Sequence, residues 1–388
     1  MEEDLVLFHA YFSLSGSITA TLRTTVASLN SCLDVLTFLE EEGEEFEEIV
    51  ADVMESLQNP LLTLPLQQGT QLPPPRQNIF LFPDFVASNF PGRDLYTELL
   101  TRPWLFYNMT GETPQSLQAV VQDLGPVISN MNMDGQPRQR ASRCKLTMHN
   151  RILLVFIWLW RYQTSSELSA LFLISPTVIE RNIQLIIPIL CQYFQHFLQW
   201  PSNEEWLQRF GYWENFPAAV AVIDGTLHEI YRPITDTQEL FYSGRVKYHC
   251  FSSQLVVDNQ GNIVFARCGF LGRCNDAGQW QHIVPQIGQG TPNPLPPNAY
   301  ILADKGYPNE DPLLTPWRRQ RLDGHPDRQL FNQELGRLRE SVEHSIKRFK
   351  EYKIVSNLWR HERALAVRVM ELCASLAQRH IVLTRVIR

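Results

Sequence analysis

Residues 218–224 read AAVAVID, a short apolar run ending in an acid, and the reading of the whole chain turns on it. Pro217 stands before the run and Gly225 after it, so its length and its flanks fit a buried strand better than a helix. An aspartate directly after such a strand sits at the rim of a sheet, where sites are built. The pattern continues downstream. LHEIYRP (227–233) and CFSSQLVVD (250–258) follow, NQGN (259–262) reads as a hairpin turn and IVFARCGF (263–270) as the returning strand. Three consecutive antiparallel strands are expected. NDAGQWQHIVPQI (275–287) has helical spacing. After a Pro/Gly/Asn loop (288–298), AYILAD (299–304) is a second apolar strand that ends in an acid, Asp304. Residues 331–354 read as a long helix, and 362–386 contain another. Strands first, then helix, strand and helix, make this part of the chain mixed α/β.

Upstream the chain is helical. Residues 102–129 carry helical spacing, and 146–190 are more specific. A helix runs to about Tyr162. Thr164-Ser-Ser-Glu167 has the spacing of a capping box. It opens a short helix, and Ser175-Pro176 places a cap and an N1 proline at the start of the next. Helix, tight turn, helix is a helix-turn-helix pattern. Its second helix could enter a major groove with Thr177, Glu180 and Arg181 near its start; an ordinary three-helix scaffold that touches no base reads equally well. Three segments are expected: an acidic helical region and Pro-rich linker over 1–77, a helical region over 78–215, and an α/β domain over 216–388.

Composition excludes several classes. Hydrophobic content of 44% and aromatic content of 11% exclude wholesale disorder. The most apolar stretch, 152–160, is bounded by Arg151 and Arg161 and is too short for the roughly 20 residues of a membrane span. Seven cysteines, odd in number and without a CxxC pair, argue against a zinc finger. The opening MEEDLVLFHA lacks the basic region of a secretory signal. A reducing compartment with free thiols is expected, cytosol or nucleus. The net charge of −7 looks unfriendly to a polyanion, yet it is an average. The first 60 residues hold 13 Asp/Glu and one Lys/Arg, whereas residues 315–388 hold 16 Lys/Arg against 8 Asp/Glu. A local field, not the total, attracts a polyanion.

Asp224 and Asp304 each could be a turn or a cap; together they suggest a site. The long helix offers a third carboxylate. Leu335, Leu338, Val342, Ile346 and Phe349 form its apolar face, and Arg339, Glu343, Lys347 and Lys350 a second stripe beside it. That stripe reads either as a surface ion-pair row or as a carboxylate aimed at the sheet rim with basic neighbours for phosphates. Converging carboxylates repel one another. A divalent metal resolves this, and oxygen-only ligands suit Mg²⁺ or Mn²⁺. Two such ions could activate a water or 3′-hydroxyl and stabilise the leaving oxygen of a phosphodiester.

VIDGT, RCNDAGQW, LADKGYP followed by LLTP, FN, and RESVEHSIKRFK, in this order with 38 residues between Asp304 and Glu343, resemble the catalytic domain of PIF/Harbinger-type DDE transposases. The resemblance runs from about residue 146 to 354 and implies a ribonuclease-H-like fold preceded by the helix-turn-helix. It implies a metal-dependent DNA endonuclease that cuts and joins strands. The family's two aspartates fall on Asp224 and Asp304 and its glutamate on Glu343, which together would be catalytic and hold two Mg²⁺ or Mn²⁺. A further family aspartate falls on Asp276, a candidate alternate ligand or else an N-cap, because the usual Gly-Ser before it is here Gly272-Arg273. Arg339, Lys347, Lys350, Thr177 and Arg181 become candidate DNA contacts. His228 is shifted by one from the family's pattern and is expected to be structural or a substrate contact. Relatives often rely on a separate Myb-like protein for DNA recognition and nuclear entry, so DNA, such a protein and a second copy of the chain are the expected partners. The nucleus is the expected location, or the cytoplasm without the partner. The rival reading is a domesticated, non-cutting transposase that binds DNA or protein.

Overall fold

The computed structural model describes residues 92–131, 135–137, 146–234, 236–287 and 294–386. The acidic region and linker expected over 1–77 lie outside them. Eight helices of eight residues or more are described here: α1 (Pro103–Thr110), α2 (Pro114–Ser129), α3 (Met148–Arg161), α4 (Ser165–Phe172), α5 (Pro176–Phe194), α6 (Asp276–Ile287), α7 (Pro326–Glu351) and α8 (Arg363–Val386). Six strands, β1 (Ala219–Glu229), β2 (Tyr242–Ser243), β3 (Tyr248–Asp258), β4 (Ile263–Leu271), β5 (Tyr300–Leu302) and β6 (Leu313–Leu314), form one sheet.

Local chemistry sets the helix ends. The continuous helix expected over 102–129 is broken in two. Gly111 takes a left-handed conformation (φ +71°), and Thr113 then caps α2 ahead of Pro114 at its first turn. The capping box forms as read, with Thr164 N–H donating to Glu167 at 2.6 Å and Glu167 N–H to Thr164 Oγ1 at 3.2 Å. Ser175 precedes α5 in extended geometry but makes no side-chain cap bond, so Pro176 alone marks that start. The bend between α4 and α5 is 103°. Arg151 and Asn182, both buried, lock α3 to α5: Arg151 Nε donates to Asn182 Oδ1 at 2.9 Å, and Asn182 Nδ2 donates to the Arg151 carbonyl at 2.9 Å. Among the described residues no single helix is long and apolar enough to cross a membrane.

The sheet runs β2-β3-β1-β5-β6, with β4 also paired to β3. β1 pairs antiparallel with β3, and β3 with β4; β1 pairs parallel with β5, and β5 with β6. β1 is longer than the sequence suggested. AAVAVID and LHE form one strand, because β3 continues to hydrogen-bond it from Ala221 through Glu229. Asp224 is thus inside a strand. It still reaches a rim, since the pairing with β5 stops at Val222↔Leu302 and opens that side of β1 just before Asp224.

Both faces of the sheet are buried. Val222, Leu255 and Leu302 pack with Val342 and Phe349 of α7, with Ala366 and Met370 of α8, and with the buried residues of α3 and α5 in one continuous core. Ile223, Val256 and Ile301 face the other way, onto Trp280 and Ile283 of α6 and onto Trp206. A parallel pair covered on both faces reads as continuous apolar sequence, which is how AAVAVI and AYIL appear.

Candidate active site

Side-chain alternation places the acids. Val222 faces α7, so Asp224, two residues further along β1, points there as well. Each acid stands two residues beyond the last β1–β5 pair, Val222↔Leu302, Asp224 still within β1 and Asp304 just past the end of β5. Asp224 is about one-fifth exposed and Asp304 partly buried. The Gly225 N–H donates to Asp224 Oδ1 at 2.8 Å, and the Gly306 N–H to Asp304 Oδ1 at 2.6 Å.

The third carboxylate comes from α6, on the opposite face. Asn275, not Asp276, caps this helix: its Oδ1 accepts from the Gly278 N–H at 2.9 Å. Asp276, relieved of that task, accepts from Gln254 Nε2 at 3.2 Å. Its approach to the aspartate pair runs past two glycines. A Cβ on Gly306 would lie 2.9 Å from both Asp276 Oδ2 and Asp304 Oδ1, so those oxygens are within twice that distance of each other. A Cβ on Gly225 would lie 3.0 Å from Asp276 Oδ1 and 2.9 Å from Gln254 Nε2. The glycines of the D-G and D-x-G-Y motifs are therefore places where a side chain would strike the acids.

Gln254, fully buried opposite Gly225 on β3, organises the floor. Its Nε2 also donates to Gln279 Oε1 at 2.8 Å, and the buried Tyr307 hydroxyl donates to its Oε1. Gln279 in turn accepts from Ser252 Oγ at 3.1 Å. Sequence reasoning gave Gln254 and Tyr307 no role. The available signal was an uncharged polar side chain in the middle of the buried run FSSQLVVD.

Electrostatics is unfavourable to bare acids here. Burial raises the Asp224 carboxyl, and the charge of Asp304 adds to that, against the lowering pull of Arg339 and the Gly225 N–H. Burial and Asp304 likewise raise Asp276. Burial, then the charges of Asp276, Asp224 and Asp304, push the Tyr307 phenol well above its usual range, which keeps it a neutral donor.

On α7, Arg339 reaches the pair: its Nη2 donates to Asp224 Oδ2 at 2.8 Å. Its Nε is buried and has no acceptor among the described residues. Glu343 lies one helical turn further along the same stripe, exposed to solvent. The structure thus gathers Asp224, Asp304 and Asp276 with Arg339, whereas Glu343, expected as the third acid, is exposed on α7 and makes no contact with them among the described residues. Lys347 is exposed; Lys350 is half-buried, and burial lowers its ammonium. Thr177 and Arg181 are exposed on the first turns of α5. His228 is structural. It is buried on β1, with Nδ1–H donating to the Val355 carbonyl at 3.0 Å and Nε2 accepting from Ser253 Oγ at 2.8 Å, and burial lowers it to about 4.

Residues 223–378 match the family model of the DDE superfamily endonuclease. The matched segment starts one residue before Asp224 and contains Asp276, Asp304, Arg339 and Glu343. The chain is also 26% identical over 227 residues to the probable transposase for insertion sequence element IS702 of Microchaete diplosiphon, an alignment covering 56% of this chain and 75% of that protein. No solved structure matches. The matched segment thus covers the whole sheet from Ile223 onward and most of α8, with Asp224, Asp276, Asp304 and Glu343 inside it. The five cysteines among the described residues, Cys191, Cys250, Cys268, Cys274 and Cys373, are free thiols.

Proposed function

We propose that the protein is a divalent-metal-dependent DNA endonuclease of transposase type, in which Asp224 and Asp304 carry the metal site. The single observation behind this is that the two acids lie just beyond the last pair of the parallel strands β1 and β5, with Asp276 facing them across two glycines. The strand order, three antiparallel strands followed by two parallel ones on the far side of β1, supports a ribonuclease-H-like fold.

The donor set fits the metal. It consists of carboxylate oxygens that burial and mutual repulsion make reluctant to ionise alone, and a hard cation favours their ionised form. Among the described residues no three His, Cys, Asp or Glu side chains could hold an ion by themselves. Mg²⁺ accords with that, since it is held by one or two carboxylates and completes its shell with waters and substrate phosphates. Asp224 and Asp304 would hold two Mg²⁺ or Mn²⁺, with Glu343 as the third catalytic acid by resemblance and Asp276 as the alternate ligand. The ions would supply Lewis acidity and an activated oxygen nucleophile.

The chain's own groups do the rest. Arg339 steers Asp224 through Nη2, and the part of its guanidinium side chain left open to solvent would meet a phosphate. Lys347 and Lys350, on the same stripe, would position DNA through phosphates without reading sequence. Gln254 and Tyr307 hold Asp276 in place. The 103° pair α4–α5 would present Thr177 and Arg181 to a major groove as a helix-turn-helix. PIF/Harbinger affinity, a Myb-like partner, self-association and nuclear location complete the reading.

The test is nicking of supercoiled DNA in Mg²⁺. Wild type should nick, and Asp224→Ala should not, with an unchanged thermal midpoint. Nicking at the wild-type rate by Asp224→Ala would remove the assignment. A folded wild type that binds DNA without cutting in Mg²⁺ or Mn²⁺ would instead favour the non-cutting factor.

A further inference from the structure

From the end of β6 into the first turn of α7 the chain reads TPWRRQRLDGHPDR (315–328), a stretch that the acid site does not use. β6 pairs with β5 through Leu302↔Leu314, and Ala303 N–H donates to the Leu314 carbonyl at 2.9 Å. The segment therefore leaves the sheet level with Asp304 and at the same end. Thr315 Oγ1 donates to Asn309 Oδ1 at 3.1 Å, tying it to the loop that follows Asp304.

Trp317 is the unusual residue here. The residue is 38% exposed, a large apolar group in water, and yet its backbone is fixed. Asn332 of α7 grips its backbone from both sides: Trp317 N–H donates to Asn332 Oδ1 at 2.8 Å, and Asn332 Nδ2 donates to the Trp317 carbonyl at 2.9 Å. The Arg328 guanidinium lies 4.5 Å from the ring centroid. Arg318, Arg319 and Arg321 follow directly, all exposed, and none is ion-paired among the described residues. Asp323 and Asp327 in the same segment do not neutralise them by contact.

An exposed aromatic ring on a fixed backbone, beside unpaired guanidinium groups, suits a ligand with a flat apolar face and regularly spaced negative charge. Single-stranded nucleic acid offers both, whereas a duplex hides its base faces. We propose that Trp317–Arg321 is a nucleic-acid contact next to the acid site, with Arg318, Arg319 and Arg321 on backbone phosphates and Trp317 stacked on an unpaired base. This rests on the nuclease reading and adds to it a preference for DNA with an unpaired end.

The experiment is fluorescence anisotropy of the full chain in EDTA, so that cutting plays no part, on a blunt duplex and on the same duplex with a single-stranded overhang. Wild type should bind the overhang DNA more tightly. Trp317→Ala should lose about tenfold on the overhang DNA and little on the blunt one, and Trp317→Phe should keep the preference. The double variant R318A/R319A should lower the slope of log K against log[salt] by about 2 on both. These side chains are exposed, so thermal midpoints should not move. Wild-type affinity and salt slope in both the Trp317→Ala and double-arginine variants would overturn this proposal and leave the nuclease reading standing. A wild type that binds neither DNA would remove both.

Discussion

Arg339 of α7 donates to Asp224 of β1 at 2.8 Å and so sets a fixed positive charge on one acid of the pair. A cation bound at Asp224 would feel that charge as repulsion. At such separation the interaction is worth about 1 kcal/mol even at the dielectric constant of water, or about fivefold in affinity. Arg339→Gln should therefore bind Mg²⁺ about fivefold more tightly by titration calorimetry, while losing one phosphate contact on DNA. Weaker Mg²⁺ binding in this variant would show that Arg339 supports the cation site rather than competing with it.

Gly306 separates the function of the site from the stability of the fold. A Cβ there would strike only the carboxylate ends of Asp276 and Asp304, each at 2.9 Å, and not backbone. Short side chains can turn aside, so Gly306→Ala should fold with a midpoint within a few degrees of wild type. Displaced acids are another matter, since a shift of about 1 Å at a reacting centre costs on the order of 100-fold in rate. Nicking should fall by at least that much. A fully active Gly306→Ala would mean that Asp276 and Asp304 need not stand as they do.

A second acid lies far from the site and has a different role. Glu112 is buried between α1 and α2. Burial raises its carboxyl, but the His380 hydrogen bond and the charges of His380 and Arg379 outweigh that and hold it at about 2. Arg379 Nη1 donates to it at 2.6 Å and His380 Nε2 at 3.0 Å. The cluster joins the helical layer to α8. Removing one member leaves a buried charge unpaired, at a cost of about 3–5 kcal/mol. Arg379→Met should lose that much in urea unfolding, and E112L/R379M should regain most of it. Because the folded pKa is depressed, the contribution of Glu112 is present above its usual 4.5 and is lost as pH falls towards 2.

His228 gives a pH effect in a neighbouring window. Its imidazole is neutral in the fold, with its pKa lowered from 6.5 to about 4 by burial, and regains its ordinary affinity for protons on unfolding. The unfolded chain thus binds more protons between those values, and stability falls as pH drops from about 6.5 to 4, by roughly 3 kcal/mol for this group. His228→Gln should flatten that part of the stability–pH curve relative to wild type. Identical curves would mean that His228 is protonated in the fold.

Much of this was legible in the chain, for physical reasons. Strands buried on both faces leave uninterrupted apolar runs, so AAVAVI and AYIL announced themselves, and the acids after them were found. The stripe of α7 placed Arg339 beside the buried face correctly. What escaped depends on pairing across the sheet. That β3 carries β1 past Asp224, that Asn275 frees Asp276 from capping, and that Gln254 lies opposite Gly225 are relations between residues distant in sequence, and local periodicity does not carry them. The clamp of Asn332 on Trp317 is of the same kind.

The central claim is that Asp224 and Asp304 hold the divalent ions. Anomalous diffraction from crystals of the full chain soaked in Mn²⁺ tests it most directly. The account predicts a peak within coordination distance of an oxygen of Asp224 and one of Asp304, absent in Asp224→Ala crystals. Manganese bound elsewhere, with none between these two side chains, would contradict it.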